Sequence, residues 1–378
     1  MQGADLHGMQ SGGLLSAHRS PWRLTALIAV SLLVVCAGGM VQLGAGSYDM
    51  SWRQAWEALV DPHLWEHPSR ILRLLVGEGM ADRLGCERCD TLPTSTLIVW
   101  TVRMPRVLVA ILVGINLAYS GSILQAVTRN EMADPYLLGV SSGSGLAIAV
   151  VFMFLPGLGV HLPLLAMVGG LTAFAVVYAI AWSRGTSPVR LVLAGVIVGA
   201  IARSVETAMH YLAQDSSALR DATAWTSGSL IGARWEHVLM VLPWTSVSVI
   251  VALCGARYLD ILLLGDATAK SLGMSIERVR FLLAATAVLS AASAVAAAGM
   301  IGFVGLIVPH MVRGLVGSPH RGLLLGCLVA GPALLIGADA ASRLILNPLQ
   351  LPVGLVTGAI GGAFFLILMR RKRDFGRL

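Results

Sequence analysis

The sequence is short of charge. Of its 378 residues only 12% are Asp, Glu, Lys or Arg, whereas 56% are hydrophobic and the mean hydropathy is +0.78. A soluble domain carries about 25% charged residues, so this composition excludes an ordinary soluble globular protein. Lipid is therefore the expected solvent for most of the chain.

Cysteine is also scarce, with five residues in the chain. Three lie inside apolar runs, where cysteine behaves as a small hydrophobic residue. Cys86 and Cys89 instead form C-E-R-C in the most polar stretch of the sequence. A local disulfide or a pair of free thiols is the simpler interpretation of this pair. A redox site, or a metal site with His63 and His67 upstream, is the alternative.

Enzyme signatures are absent from the sequence. It has no G-x-x-x-x-G-K-[ST] phosphate loop, and none of its apolar runs contains a His-x-x-x-His pair or paired carboxylates. We therefore expect no catalytic residues, no metal site and no ATP hydrolysis by the chain itself.

What the sequence has in abundance is apolar runs. A helix needs about 20 apolar residues to cross the hydrocarbon core of a bilayer. The chain offers ten such runs, and residues 1–378 are predicted to form one all-α, polytopic transmembrane domain. The run at 302–317 is short and contains Pro309, so we expect that helix to be broken. The predicted spans are 24–44, 107–126, 137–155, 162–182, 190–212, 237–256, 280–299, 302–317, 322–345 and 353–369.

Two polar segments interrupt this pattern. Residues 47–96 form the only sizeable insertion, rich in Trp, Pro and mixed charges. Residues 258–279 are too long for a turn and too polar for a span, and we interpret them as two short amphipathic helices. Such helices either lie on the lipid surface or form a docking surface for a cytoplasmic partner.

Basic residues set the predicted orientation. With the amino terminus inside, alternate gaps between spans carry most of the Lys and Arg, which follows the positive-inside rule. Both termini are therefore predicted to be cytoplasmic, and the 47–96 insertion periplasmic. This distribution explains the net charge of +7 without a nucleic-acid partner. The basic residues in question are Arg129, Arg184, Arg190, Arg257, Lys270, Arg278, Arg280, Arg313, Arg321, Arg370, Arg371, Lys372 and Arg373.

Glycines and ionisable groups stand out inside two spans. Small residues spaced by four let membrane helices approach closely, so they are predicted to lie where two copies of the chain meet. The glycines concerned are Gly195 and Gly199 in the fifth span, and Gly354, Gly358 and Gly362 in the tenth.

The fifth span also carries Arg203, Glu206 and His210 on the glycine stripe. An ionisable group in a span costs about 2.5–3.5 kcal/mol on insertion scales, so it normally faces protein or water. These three residues either line a substrate path or form a structural Arg203–Glu206 pair.

Eight short motifs, in order over about residues 100–370, resemble one family. They are similar to the FecCD-type permease subunits of type II ABC importers, which carry vitamin B12, ferric siderophores or haem. The motifs are Arg103-Met-Pro-Arg106, Gly121-Ser-Ile-Leu-Gln125, Asn130-x-x-Ala133-Asp134-Pro135 with Leu138-Gly139-Val140-Ser141-Ser142-Gly143, Leu193-Ala194-Gly195-Val196, Trp225-x-x-Gly228-Ser229, Leu264-Gly265-Asp266-x-x-Ala269-x-x-Leu272-Gly273, Gly302-Phe303-Val304-Gly305-Leu306-Ile307-Val308-Pro309-His310 and Leu351-Pro352-Val353-Gly354.

The resemblance implies partners for this chain. They are a second copy around a central pathway, two cytoplasmic ATPase subunits that bind the ATP, and a periplasmic substrate-binding protein. Arg103, Arg106 and Arg343 would receive acidic residues of the binding protein. Thr186 and Ser187 would form the cytoplasmic gate. The segment that couples to the ATPase would comprise Leu264, Gly265, Asp266, Lys270, Leu272 and Gly273.

Within the family the expected cargo is haem, carried by permeases of the BhuU/HmuU type. Arg203 could pair with the haem propionates and His210 could approach the iron. No permanently bound cofactor is expected. A ferric siderophore or cobalamin is the alternative cargo, and an ion-coupled secondary transporter of the bacterial inner membrane is the alternative class.

Overall fold

The computed structural model describes residues 22–44, 48, 50–85, 92–183, 185–212, 225–345 and 350–371. Cys86 and Cys89 lie outside these ranges, so the structure leaves their pairing open. The described residues contain α-helices, short 3-10 and π turns, and no strand. The α-helices are α1 (Trp22–Gly44), α2 (Trp52–Leu59), α3 (Pro62–Trp65), α4 (Pro68–Val76), α5 (Glu78–Arg83), α6 (Thr94–Ile98), α7 (Met104–Thr128), α8 (Val140–Phe154), α9 (Leu162–Ala181), α10 (Pro188–Leu212), α11 (Trp235–Leu263), α12 (Asp266–Ser271), α13 (Ile276–Ala298), α14 (Val304–Val316), α15 (His320–Leu344) and α16 (Val353–Arg371).

A helix lies at each of the ten predicted spans, and the predicted transmembrane fold is confirmed. Seven described helices are long and apolar enough to cross a membrane: α1, the continuous run 94–128, α9, α10, α11, α13 and α15. The other three, α8, α14 and α16, are apolar but shorter by this measure.

Helix α7 lies at the centre of the bundle, against α11, α13 and α15, and almost every one of its residues is buried. Two glycine pairs allow this packing. A Cβ added at Gly121 would overlap the carbonyl oxygen of Gly305 on α14, and one at Gly331 on α15 would overlap the carbonyl oxygen of Gly114. Small residues thus let backbones touch, as they do in membrane interiors.

The second span begins earlier than its hydropathy predicts. The helix starts at Thr94, passes through a π turn at Val99–Arg103 and continues as α7, so Arg103 and Arg106 lie within it. Such a turn absorbs the disturbance of the backbone next to Pro105, which has no N–H to donate.

The predicted break at Pro309 does not occur, since α14 runs unbroken through it. Proline at this position deprives the carbonyl of Gly305, four residues earlier, of its helical donor. The side-chain nitrogen of Gln125 on α7 lies 3.5 Å from that oxygen and donates to it instead. Helix α7 therefore compensates for the missing hydrogen bond.

The segment 258–279 contains one short helix instead of the two that we predicted. Residues 258–263 continue α11, and only α12 is separate. Helix α11 ends next to Gly265, whose φ of +99° suits glycine and interrupts the helix.

The described part of the 47–96 insertion forms α2–α5 and the start of α6. Ser51 begins α2 with a capping box, in which Ser51 and Gln54 each accept the other's backbone N–H.

Candidate functional site

The structure brings the three arginines predicted for docking into one cluster at one end of α7. Arg106 forms a bidentate pair with Asp339 of α15, with Nη2–Oδ1 at 2.7 Å and Nε–Oδ2 at 3.2 Å. Its Nη1 donates to Gln350 at 2.8 Å. Arg343 approaches the same carboxylate, with its Nη2 3.2 Å from Oδ2.

Arg103 completes the cluster from the π turn. It donates to the backbone carbonyls of Leu43, Gly44 (2.9 Å) and Tyr48 (2.6 Å), and thus binds the carboxyl end of α1, where a cation is favourable. Arg103, Arg106 and Arg343 are only 4–8% exposed. Each is engaged within the chain, so docking to a binding protein stays a prediction.

The predicted coupling segment lies at the opposite end of α7, about 35 Å from Arg106 at 1.5 Å per helical residue. Leu264, Lys270 and Leu272 are exposed there, whereas Asp266 at the start of α12 is partly buried. Asp266 forms ion pairs with Arg129, which follows α7, and with Arg280 of α13 at 2.7 Å.

The predicted gate loop lies beside this segment. Thr186 is buried, and its backbone N–H and hydroxyl both donate to Oε2 of Glu277, at 2.9 and 2.6 Å. Its carbonyl accepts from Arg280. The sequence placed the gate loop and the coupling segment in different parts of the chain, and the structure joins them through α13.

A cavity of about 550 Å³ opens next to the gate loop. Its lining is mainly polar and includes residues of the gate loop, the coupling segment and α13. The residues that line it are Thr128, Arg129, Gly185, Thr186, Ser187, Pro188, Val189, Arg190, Asp266 and Glu277.

The predicted pathway residues lie along α10. Arg203 is exposed on the single chain, and Glu206 is half-buried with its carboxylate against Gly145 of α8. His210 belongs to α10, but its side chain lies outside the described atoms. Arg203 therefore faces away from the chain's own core, and Glu206 faces α8.

The five glycines predicted for a dimer contact differ in their surroundings. A Cβ at Gly195 would overlap the carbonyl oxygen of Leu137, and one at Gly354 would overlap that of Ser227, so these two glycines serve packing within the chain. Gly199 is close to Ser142 of α8. Gly358 and Gly362 have no atom within 4 Å of a Cβ added to them, among the residues described. The two open positions on α16 are the ones that leave room for a second copy.

Sequence reasoning missed Glu277 and assigned Arg129 and Arg280 only to membrane orientation. A local sequence pattern could have indicated Glu277 and Arg280 as partners. Glu277 and Arg280 are opposite charges at i, i+3 at the start of an apolar helix, where Arg280 is fully buried and needs a partner.

Known proteins share this arrangement of helices. The sequence profile described as the FecCD transport family matches residues 31–371. The chain belongs to the FecCD transport family. Its relatives are permease subunits of ABC importers, which transport substrates and do not catalyse reactions. Like them, this chain is a multi-pass membrane protein.

Three curated relatives illustrate the range of the family. The hemin transport system permease protein HmuU of Yersinia pestis is 33% identical over 93% of this chain and 97% of its own length. The iron(3+)-hydroxamate import system permease protein FhuG of Bacillus subtilis is 35% identical, over 80% and 89%. The cobalamin import system permease protein BtuC of Halobacterium salinarum is 41% identical, over 74% and 75%.

A solved structure shows the same fold. It is a metal-chelate type ABC transporter in an inward-facing conformation, with a TM-score of 0.76 and 25% sequence identity. The likeness covers 93% of this FecCD chain and 100% of the other.

Proposed function

We propose that this chain is the permease of an ATP-driven importer that carries haem from the periplasm to the cytoplasm across the bacterial inner membrane. A separate ATPase subunit would hydrolyse the ATP, because the chain has no phosphate loop. HmuU, named for hemin transport, aligns with nearly the whole chain and supports this cargo.

The observation that carries the proposal is the exposed guanidinium of Arg203 on α10. A cation in a span is costly in lipid, so this face of α10 is expected to meet water or a second copy of the chain. In a water-filled path, Arg203 would pair with the propionates of haem, since a guanidinium binds carboxylates in a defined geometry.

Related cargoes are the second candidate, because FhuG and BtuC are as similar to this chain as HmuU is. A ferric siderophore or cobalamin would use the same path without needing a carboxylate partner for Arg203. An ion-coupled secondary transporter has less support. The predicted spans contain only two carboxylates for such coupling, Glu206 and Asp339. Asp339 is bound by Arg106 and Arg343, and the Glu206 carboxylate lies against Gly145 of α8.

The proposed complex contains two copies of this chain, two ATPase subunits and a binding protein that docks near Arg103, Arg106 and Arg343. The exposed leucines beside α12 would contact the ATPase. Gly358 and Gly362 on α16 would contact the second copy, and Thr186 and Ser187 would form the inner gate.

Uptake into vesicles tests the cargo. The complete complex, with its cognate ATPase subunit and binding protein, would be assayed with haemin, a ferric hydroxamate and cyanocobalamin. We expect ATP-dependent uptake of haemin, about tenfold lower in Arg203→Gln and partly retained in Arg203→Lys.

The matched control is Arg257→Gln, which removes an exposed arginine from α11 and should leave haemin uptake unchanged. If cyanocobalamin or the hydroxamate is taken up with ATP and haemin is not, the proposed cargo is wrong but the assignment as an importer permease stands. Uptake of all three compounds without ATP would contradict the proposal that this chain belongs to an ATP-driven importer.

A further inference from the structure

The buried arginine of α13 joins the two segments that the proposed function assigns to ATPase contact and to gating. We propose that Arg280 is the positioning residue that transmits movement of α12 to the gate loop, through its ion pair with Asp266 and its hydrogen bond to Thr186. This inference rests on the proposed function, which supplies the roles of the two segments.

The geometry places one guanidinium between two loops. Arg280 lies in the second turn of α13 and is 0% exposed. Its Nη2 is 2.7 Å from Oδ1 of Asp266, and its Nη1 donates to the carbonyl oxygen of Thr186. Asp266 begins α12, and Thr186 lies 80 residues earlier in the gate loop. The planar fork of arginine can hold both partners at once, whereas the single ammonium of lysine has no such fork.

Helix α13 contacts the gate loop through a second residue. Glu277, one turn before Arg280, accepts both the backbone N–H and the hydroxyl hydrogen of Thr186. Thr186 is therefore bound by a carboxylate and a guanidinium of α13, through three hydrogen bonds. A displacement of α13 would carry the gate loop with it, because each bond is buried or partly buried and costly to leave unmade.

The ion pair with Asp266 makes the position of Arg280 depend on the position of α12. A fully buried guanidinium is stable only with its partners in place. If the ATPase moved α12, Asp266 would separate from Arg280, and the arginine would have to follow the carboxylate or lose its pairing. Arg129, which directly follows the buried helix α7, pairs with the same carboxylate oxygen of Asp266 as Arg280 does. The cavity of about 550 Å³ beside Thr186 and Ser187 leaves room for the loop to move.

The test follows the gate loop directly. In the full complex in lipid nanodiscs, the five native cysteines would be replaced and a single Ser187→Cys introduced, since Ser187 lines the cavity and makes no side-chain bond to Arg280. The readout is the ratio of maleimide labelling rates without nucleotide and with ATP plus vanadate. We expect this ratio to differ from one by about tenfold in the parent, to fall close to one in Arg280→Gln, and to be intermediate in Arg280→Lys.

Arg313→Gln is the matched control. Arg313, near the end of α14, is a largely buried arginine 3.4 Å from Glu131 and lies outside the proposed link. It should keep the parent ratio. If the Arg280→Gln complex fails to assemble, Asp266→Asn tests the same ion pair. This change is milder, because the Asp266 side chain is 42% exposed and the guanidinium of Arg280 stays in place. Asp266→Asn should also bring the ratio close to one.

The outcomes separate the link from the proposed function. A parent whose labelling ignores nucleotide contradicts the gate itself, and the link with it. A nucleotide-dependent parent whose ratio is retained in Arg280→Gln, or in Asp266→Asn, contradicts the link alone. An equal loss in Arg313→Gln would also overturn it, since a general loss of packing would then account for the result.

Discussion

Buried arginines join distant segments of the chain at both ends of this protein. At one end Arg106 and Arg343 share Asp339, which is 0% exposed, and at the other Arg280 binds Asp266 and Thr186. Buried charges are stable only when they are paired and hydrogen-bonded. At the residue scale, the identity of each partner therefore decides whether a substitution affects stability, docking or both.

Arg106→Gln should lower the free energy of unfolding by about 3 kcal/mol, because it removes the bidentate partner of a buried carboxylate. Adding both Asp339→Asn and Arg343→Gln should restore much of that loss, because no buried charge of this cluster is then left without its partner. Binding-protein affinity should stay low in the triple variant if these arginines also dock the binding protein. Arg53→Gln, an exposed arginine paired with Glu57, is the control.

Urea unfolding in detergent and a titration with the binding protein measure the two quantities. Recovery of affinity together with stability would show that Arg106 acts only through Asp339. In that case the docking proposal would be wrong.

Asp134 should make stability depend on pH. Burial raises the pKa of Asp134 to about 6, and its carboxylate accepts the N–H of Tyr136 at 2.8 Å. Between about pH 4 and 6 the folded protein therefore holds a proton that the unfolded chain releases, so stability falls as pH rises through this window.

Asp134→Asn keeps the acceptor and removes the charge. We expect a higher thermal midpoint at about pH 7.5 and a flatter profile between pH 4 and 6. Parallel profiles for the parent and the variant, measured by thermal unfolding in detergent, would contradict the assignment to Asp134.

At the scale of elements, the same spacing of glycines serves two different contacts. Gly195 on α10 lies against the backbone of Leu137 in the same chain, whereas a Cβ added at Gly358 on α16 would meet no atom within 4 Å among the residues described. The pattern G-x-x-x-G predicts close approach but not the identity of the neighbour.

Gly358→Leu should therefore reduce dimer formation and leave each copy folded, while Gly195→Leu should destabilise the single chain. Native mass spectrometry would give the dimer fraction, and thermal unfolding would give the stability. A dimer that survives Gly358→Leu and Gly362→Leu together would exclude α16 from the contact between copies.

At the scale of the whole molecule, the even number of spans predicts that both ends of the chain lie on the same side of the membrane. The positive charge of the alternate gaps predicts that this side is the cytoplasm. The 47–96 insertion would then lie on the opposite side.

Single cysteines test this arrangement in a background without the native ones. Arg23→Cys and Arg370→Cys should react with an impermeant maleimide in inverted vesicles, and Arg53→Cys on α2 should react in right-side-out vesicles. Labelling of Arg23→Cys and Arg370→Cys from opposite sides would mean an odd number of spans.

Three properties can be predicted from the sequence alone: most of the chain lies in lipid, it has ten spans, and it belongs to this family. Each of these follows from local information, because hydropathy over about 20 residues reports burial in lipid and short motifs keep their order along the chain. The predicted ends of two helices were wrong, because hydropathy alone does not show where a helix starts or stops. Residues 94–104, before Pro105, are helical and continue into α7, and residues 258–263 extend α11.

The contacts of the polar residues, by contrast, depend on how the helices pack together. Arg106 and Asp339 are 233 residues apart and Thr186 and Arg280 are 94 apart, and no local pattern pairs them. The gate loop and the coupling segment are likewise joined only because α13 folds between them. Partner choice in a membrane interior depends on which helices pack together, since a buried charge binds whatever opposite charge or carbonyl the packing brings within reach.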